Sequence, residues 1–312
     1  MKTSNKQMGW GTLGLLIMVV MISACAEKKS TAHATDSDAV IGQEFDYFTQ
    51  ECNSGERSSI VRGEVVKQTD ADATRSVLLI WEDAKGEQHL CSSSLIDNQT
   101  LLTAAHCVNE AIKMEAIFYT DVTCGSGYKR SEHAITVDKM TFHPDYKGVV
   151  AGQTPFDDNQ DLGLVHLSRP APANFPIYKI SKTPEALVDS DLYIYGYGIT
   201  GTFNHDSMLL RKATVKRRTS DITKKDITYF IGKNLLWDQS EGSGLCSGDS
   251  GGAVLMDDKG ELVIASVNSE VFMSAEDKSE DLCNYGAKTV VVYHYLDSWI
   301  IPTMAAWGQT VK

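Results

Sequence analysis

The stretch CSGDSGG, residues 246–252, sets Ser250 among three glycines, with Asp249 before it and Cys246 four residues upstream. Glycine has no Cβ, so such a segment can bend tightly and expose its backbone N–H groups. Gly, Asp and Ser are also the commonest turn formers, so a plain surface turn is one reading. The other is a nucleophile whose own loop supplies an oxyanion hole. The two differ in what else the chain must hold. A serine hydroxyl is a weak nucleophile until a neighbouring base accepts its proton. A histidine in that role needs a buried carboxylate to fix its tautomer. The second reading therefore requires one histidine and one aspartate in suitable surroundings.

The chain has 312 residues, room for one large domain or two small ones. Its formal net charge of −12 argues against a nucleic-acid partner, which wants a basic face. At the N-terminus, Lys2 and Lys6 precede an apolar run from Leu13 to Ile22 and then small residues, the layout of an export signal. The run falls short of the about 20 apolar residues that span a bilayer. Its end, ISAC at 22–25, resembles the lipobox of bacterial lipoproteins, where the chain is cut before the cysteine and the thiol is acylated. On that resemblance residues 1–24 are removed and lipid on Cys25 anchors the chain to a membrane. The alanine that follows suggests the bacterial outer membrane or cell surface. The alternatives are an ordinary signal peptide cut near Ala24, leaving a periplasmic or secreted chain, and an uncleaved anchor. The polar segment after Cys25 reads as a tether within a 25–59 tether and propeptide.

Export places the chain where disulfides form. With Cys25 lipidated, Cys52, Cys91, Cys107, Cys124, Cys246 and Cys283 remain, enough for three bridges whose pairing the sequence alone does not choose. No CxxC or HxxxH spacing is present, so neither a metal nor a cofactor is expected.

Among eight histidines, His106 has the most telling neighbours. It lies in LLTAAHCV, an apolar run entering a small-residue turn that Cys107 could pin. Asp161 lies in QDLGLVHL with apolar residues around it, whereas Asp157 and Asp158 in PFDDNQ read as a solvated loop. Together the segments resemble the chymotrypsin-like serine proteases. CSSSLIDNQTLLTAAHC at 91–107, FHPDY at 142–146, QDLGLVHL at 160–167, IYGYGIT at 194–200, CSGDSGG, and VVVYHYLDSWI at 290–300 follow that family's order. The resemblance covers residues 60 to about 305. It implies Ser250 as nucleophile, His106 as base and Asp161 as orienting carboxylate, with the N–H groups of Gly248 and Ser250 as oxyanion hole. It also implies bridges Cys91–Cys107 and Cys246–Cys283, which leave Cys52 and Cys124 for a third. The gap from His106 to Asp161 is long for the family, so an insertion is expected near 120–133.

In such proteases the aspartate before the serine pairs with a new α-amino group once a propeptide is cut. SSIVRGEVV resembles that activation site and offers Ile60 as the new terminus for Asp249. A first strand is the alternative reading of the same residues. The bond cut, Ser59–Ile60, is not one a trypsin-like activator would choose, and Arg57 allows trimming in two steps. His89 resembles the histidine that holds the aspartate before activation. In the primary pocket the resemblance puts Gly244 at the base, so a preference for Lys or Arg is not expected. It puts Ser266 and Asn268 in one wall and Lys288 in the other, where an ammonium would favour acidic side chains unless a gap in the count carries it to the surface.

Short β-branched and aromatic runs such as SVLLIWED, LYIYGYG, ELVIASVNS and KTVVVYHY are broken by Gly, Asp and Asn, which reads as all-β with antiparallel sheets. The resemblance sharpens this to two six-stranded β-barrels within 60–312, about 60–175 and 176–312, with a short helix near 294–307. The expected function is a serine endopeptidase with protein or peptide substrates, an activating protease and a membrane as partners. A protease-fold binding protein without turnover is the alternative. An esterase elbow, Gly-x-Ser-x-Gly, also fits GDSGG, but the order His, Asp, Ser contradicts it.

Overall fold

The structure is a computed structural model describing residues 60–312 apart from 124, 149–156, 184–189, 203–206, 216–228, 232, 240–241 and 273–280. Cys25, the Cys52–Cys124 bridge, Arg57 and Ser59 therefore lie outside the described residues. Strands are numbered along the chain from a two-residue β1 (Glu64–Val65).

Six strands of the first half close into a barrel: β2 (Val77–Glu82), β3 (Gln88–Leu95), β4 (Thr100–Thr103), β5 (Lys113–Ile117), β6 (Ala134–Phe142) and β7 (Gly163–Leu167), in the order β2-β3-β4-β7-β6-β5. Every ladder in it is antiparallel. β2 reads VLLIW without alternation, and all five residues are buried. A continuous apolar run of this length marks a strand covered on both faces. β6 shows the other pattern, with buried Ile135 between half-buried Ala134 and exposed Thr136, because one of its faces meets solvent. The segment where an insertion is expected carries a short helix α1 (Arg130–His133), and its Arg130 guanidinium pairs with the buried carboxylate of Glu115.

The second half comprises β8 (Leu192–Gly196), β9 (Arg211–Val215), β10 (Tyr229–Ile231), β11 (Asn234–Asp238), β12 (Ala253–Asp258), β13 (Glu261–Phe272) and β14 (Gly286–Val291). With β1 they form one eight-stranded sheet in the order β1-β9-β8-β12-β13-β14-β11-β10. Among the described residues this ladder is open, where a second six-stranded ring was expected. Its ends are occupied by short strands, the two-residue β1 on one edge and the three-residue β10 on the other. The β12–β13 hairpin turns on Lys259 and Gly260, both with positive φ, as a two-residue primed turn requires.

Residues 64–65 thus start the chain on the second half, and the C-terminus returns to the first. The expected helix appears as a continuous helical run of α2 (Tyr293–Tyr295), a π turn (Leu296–Ile300) and α3 (Ile301–Ala306). Its Trp307 ring meets His166 of β7 edge-on at 5.8 Å, and Lys312 donates to the Ile177 carbonyl. The largest apolar cluster runs through both halves, from Leu79 and Leu101 to Leu255 and Trp299. Chain crossings at both ends and a shared core fix one half against the other, which is what a site assembled from both requires. Among the described residues no helix is long and apolar enough to cross a membrane.

Candidate active site

His106 and Asp161 come from the ends of neighbouring strands. β4 ends at Thr103, opposite Gly163 of β7, and the chain then makes a tight helical turn over Ala105–Cys107. The bridge between Cys91 of β3 and Cys107 pins that turn, with Cα atoms 6.2 Å apart. A Cβ at Gly163 would lie 2.7 Å from the Ala104 carbonyl oxygen and 2.8 Å from Val108, so any side chain there would push the His106 turn away. This close approach puts the two side chains in contact. His106 Nδ1 lies 2.8 Å from Asp161 Oδ2, and the His106 backbone N–H donates to Oδ1 at 2.9 Å. A second donor to Oδ2 is the Ser269 hydroxyl, at 2.7 Å. The Asp161 side chain is 3% exposed and that of His106 18%.

Burial by itself would raise the Asp161 carboxyl. The His106 charge and the hydrogen bonds from the His106 ring, Ser269 and the His106 backbone outweigh it and hold the group below the usual carboxylate range. Burial likewise opposes charge on His106. The charge and hydrogen bond of Asp161, with a further contribution from Glu270, outweigh that and raise the imidazole above its ordinary value.

The CSGDSGG segment is a tight turn braced from both halves. Gly248 has φ +96°, and a Cβ there would meet Leu90 at 2.4 Å and Gly198 at 2.7 Å. Its carbonyl accepts from the Ser92 hydroxyl, and the Ser250 carbonyl accepts from the Ser92 N–H. Gly251 is pressed on Thr103 and Ala104, the residues that lead into His106; a Cβ there would stand 2.0 Å from Thr103 Oγ1. The serine turn and the histidine turn are thereby held face to face. Asp249 is fully buried, and its carboxylate accepts from the backbone N–H groups of Gly198 and Cys246. Side chains at Gly196 or Gly198 would run into that carboxylate, which accounts for the glycines of IYGYGIT. The bridge Cys246–Cys283 closes the back of the turn.

The segment opening at Ile60 threads into the second half. Ile60 is fully buried in its apolar cluster, and Val61 forms a two-way backbone bridge with Gly244. His89 is not brought to Asp249, contrary to expectation. It lies on β3 opposite Trp81, stacked on that indole at 4.2 Å, with Nε2 3.6 Å from Asp83 across the hairpin.

The expected pocket wall is also displaced. Ser266 is buried in a hydroxyl pair with Thr289, and the Asn268 carboxamide donates to the Asp249 carbonyl, so both face the interior. Ser269, missed in the sequence, is the serine that reaches Asp161. It sits in a register shift of β13 between Asn268 and Glu270, which turns it out of the ladder. Lys288 is neither at the surface nor a free charge. It is 0% exposed, and its ammonium donates to Glu270 Oε1 at 3.0 Å and to the Asp157 carbonyl at 2.9 Å. The segment 157–158 is an exposed loop, as expected, and Asp158 ties it to the second half by accepting from the Lys233 N–H and the Asn234 amide. At Gly244, a Cβ would stand 2.3 Å from the Gln239 carboxamide, which is itself tied to Leu245 and Cys283.

A closed antiparallel barrel joined to a second sheet, with a buried Asp–His pair beside a glycine-rich serine turn, is the architecture of the chymotrypsin-like serine protease fold. The sequence agrees: residues 60–287 match the family described as Trypsin, and the chain belongs to that family. It is 30% identical over 174 residues to Ovochymase of Halocynthia roretzi, a match covering 53% of this chain and 10% of that protein. It is likewise 30% identical over 210 residues to Serine protease 7 of Drosophila melanogaster, covering 57% of this chain and 50% of that one. The chain thus matches a tenth and a half of the lengths of these two relatives. The solved structure of HL collagenase superimposes with a TM-score of 0.57 over 79% of this chain and 99% of that one, at 19% identity, a likeness of fold.

Proposed function

We propose that the chain is an exported serine endopeptidase, anchored through lipid on Cys25, made as a zymogen and freed by cleavage before Ile60. The observation that carries this reading is the buried Asp161 carboxylate, which accepts from the His106 ring, the His106 backbone and Ser269. A carboxylate so held fixes the proton on His106 Nδ1 and leaves Nε2 as the base. Ser250 Oγ attacks the scissile carbonyl as its proton passes to Nε2. The developing oxyanion takes hydrogen bonds from the N–H groups of Gly248 and Ser250. His106 then protonates the leaving amine, and water repeats the sequence on the acyl-enzyme. Relatives named as a serine protease and a collagenase support peptide hydrolysis as the reaction class.

Activation follows from the seat of Ile60. Cutting Ser59–Ile60 places an ammonium at a segment bonded to Gly244 and leading to the turn that holds Asp249. A bridge from Cys52 to Cys124 would keep the propeptide and its lipid attached. For specificity, Gly244 offers no carboxylate to a basic side chain, and the Lys288 ammonium is engaged by Glu270. The pocket therefore favours uncharged side chains.

A fluorophosphonate probe tests the mechanism by intact mass. The expected result is one adduct on the reduced chain beginning at Ile60, and none after Ser250→Ala. A chain that begins at Ile60 and takes no adduct would leave a binding protein in place of an enzyme. The acid limb of kcat/KM provides a second check. His106 must be neutral to accept a proton, and Asp161 and burial leave its folded-state value raised. Activity should therefore climb with a midpoint above the ordinary histidine value of about 6.5. A midpoint below that value would contradict the Asp161–His106 assignment.

A further inference from the structure

Outside the active site, the β2–β3 hairpin gathers three donor side chains. Asp83 opens the turn, Glu87 closes it, and His89 follows two residues into β3. One carboxylate oxygen from each of Asp83 and Glu87 and one ring nitrogen from His89 lie within 4.8 Å of one another. Asp83 is buried, and its Oδ1 is fixed by the N–H groups of Lys85 and Glu87, which leaves Oδ2 directed at His89. The His89 ring is held flat on Trp81. Its Nε2 is enclosed from solvent and makes no hydrogen bond.

A buried imidazole nitrogen facing a carboxylate at 3.6 Å is too far for a hydrogen bond and costly to leave unmatched. The separation suits a different arrangement. Two ligands about 2.1 Å from a tetrahedral zinc stand about 3.4 Å apart. We propose that Asp83, Glu87 and His89 form a zinc-binding site on the β2–β3 hairpin, with a fourth position open to water. One imidazole and two carboxylates make a borderline donor set that suits a first-row divalent ion, and the two carboxylates neutralise its charge. The spacing D-x3-E-x-H escapes the usual sequence patterns because the hairpin, not a helix or a pair of knuckles, brings the donors together. The site stands apart from the proposed protease reaction and does not depend on it.

The test is calorimetric titration of Zn²⁺ into the full chain after chelator treatment, beside Glu87→Gln and His89→Gln. Glu87 is exposed, and circular dichroism of its variant separates loss of the ligand from loss of the fold. The expected result is one zinc equivalent on the parent chain that weakens in each variant by more than the 10–100-fold that outer-shell changes typically cost. Co²⁺ in its place should give a visible ligand-field band that both variants lose. Absence of that equivalent from the parent, or its retention in Glu87→Gln with native circular dichroism, would overturn the site.

Discussion

Asp161→Asn is expected to lower kcat by about 10⁴ while leaving the melting temperature nearly unchanged. The two halves of that result follow from the hydrogen bonds around the carboxylate. Oδ1 accepts from the His106 backbone and Oδ2 from His106 Nδ1 and the Ser269 hydroxyl. An asparagine supplies one acceptor and one NH₂ in the same two places. With the NH₂ toward the His106 backbone, two donors would face each other, and an unmade buried hydrogen bond costs about 1–3 kcal/mol. With the NH₂ toward the ring and Ser269, every group can be satisfied. The oxygen keeps the backbone N–H, the Ser269 hydroxyl rotates to accept, and Nδ1 accepts as well. The second orientation therefore wins, and stability is kept. Its consequence is that the His106 proton moves to Nε2, the atom that must take the proton of Ser250. The fold survives and the base is lost. Initial rates on a peptide ester and thermal melts of the same two proteins check both halves. A fall in kcat of less than about tenfold would remove Asp161 from the mechanism.

The residues legible in the sequence were those whose role is encoded within a few positions. LLTAAHC carries His106 behind its apolar run, QDLGLVHL carries Asp161 with apolar neighbours and Gly163, and CSGDSGG carries Ser250 among its glycines, each in one short run. What those glycines must avoid was not legible. Gly163 clears the Ala104 carbonyl and Gly251 clears Thr103, contacts that only folding creates. The same distinction explains the errors. SVNS has a serine at each end, and local sequence does not say which one leaves the ladder; the register shift in β13 decides for Ser269. Lys288 has its partner Glu270 opposite it on β13, a pairing that depends on strand register and is not legible in the local sequence. His89 met Asp83 and not Asp249 because a hairpin of five connecting residues, 83–87, puts Asp83 nearer. That the second sheet is open among the described residues was invisible for a related reason, since closure depends on how edge strands as short as β1 are placed.

Glu270→Gln should destabilise the protein far more than loss of a partly exposed carboxylate suggests. Lys288 is 0% exposed, whereas Glu270 keeps 13% of its side chain in contact with solvent. Removing the carboxylate leaves a buried ammonium with the Asp157 carbonyl and a neutral amide, and breaking a buried pair in this way costs about 3–5 kcal/mol. For a domain of this size that lowers Tm by roughly 10 °C. The reverse change, Lys288→Met, should cost less, because the carboxylate it strands can hydrate. Glu270→Leu combined with Lys288→Met should recover most of the loss, since an apolar pair of similar volume needs no desolvated charge. The ordering of the three melts separates a true charge pair from simple packing, which would make the double change the worst. Activity supplies an independent reading. With Glu270 gone the ammonium keeps the Asp157 carbonyl but loses its carboxylate partner, so an acidic substrate side chain that reaches it should gain in kcat/KM relative to uncharged ones. The acid limb should shift downward at the same time, because Glu270 is one of the charges that raise His106. Unchanged selectivity with a lowered Tm would mean that the pair holds β13 to β14 without touching the substrate.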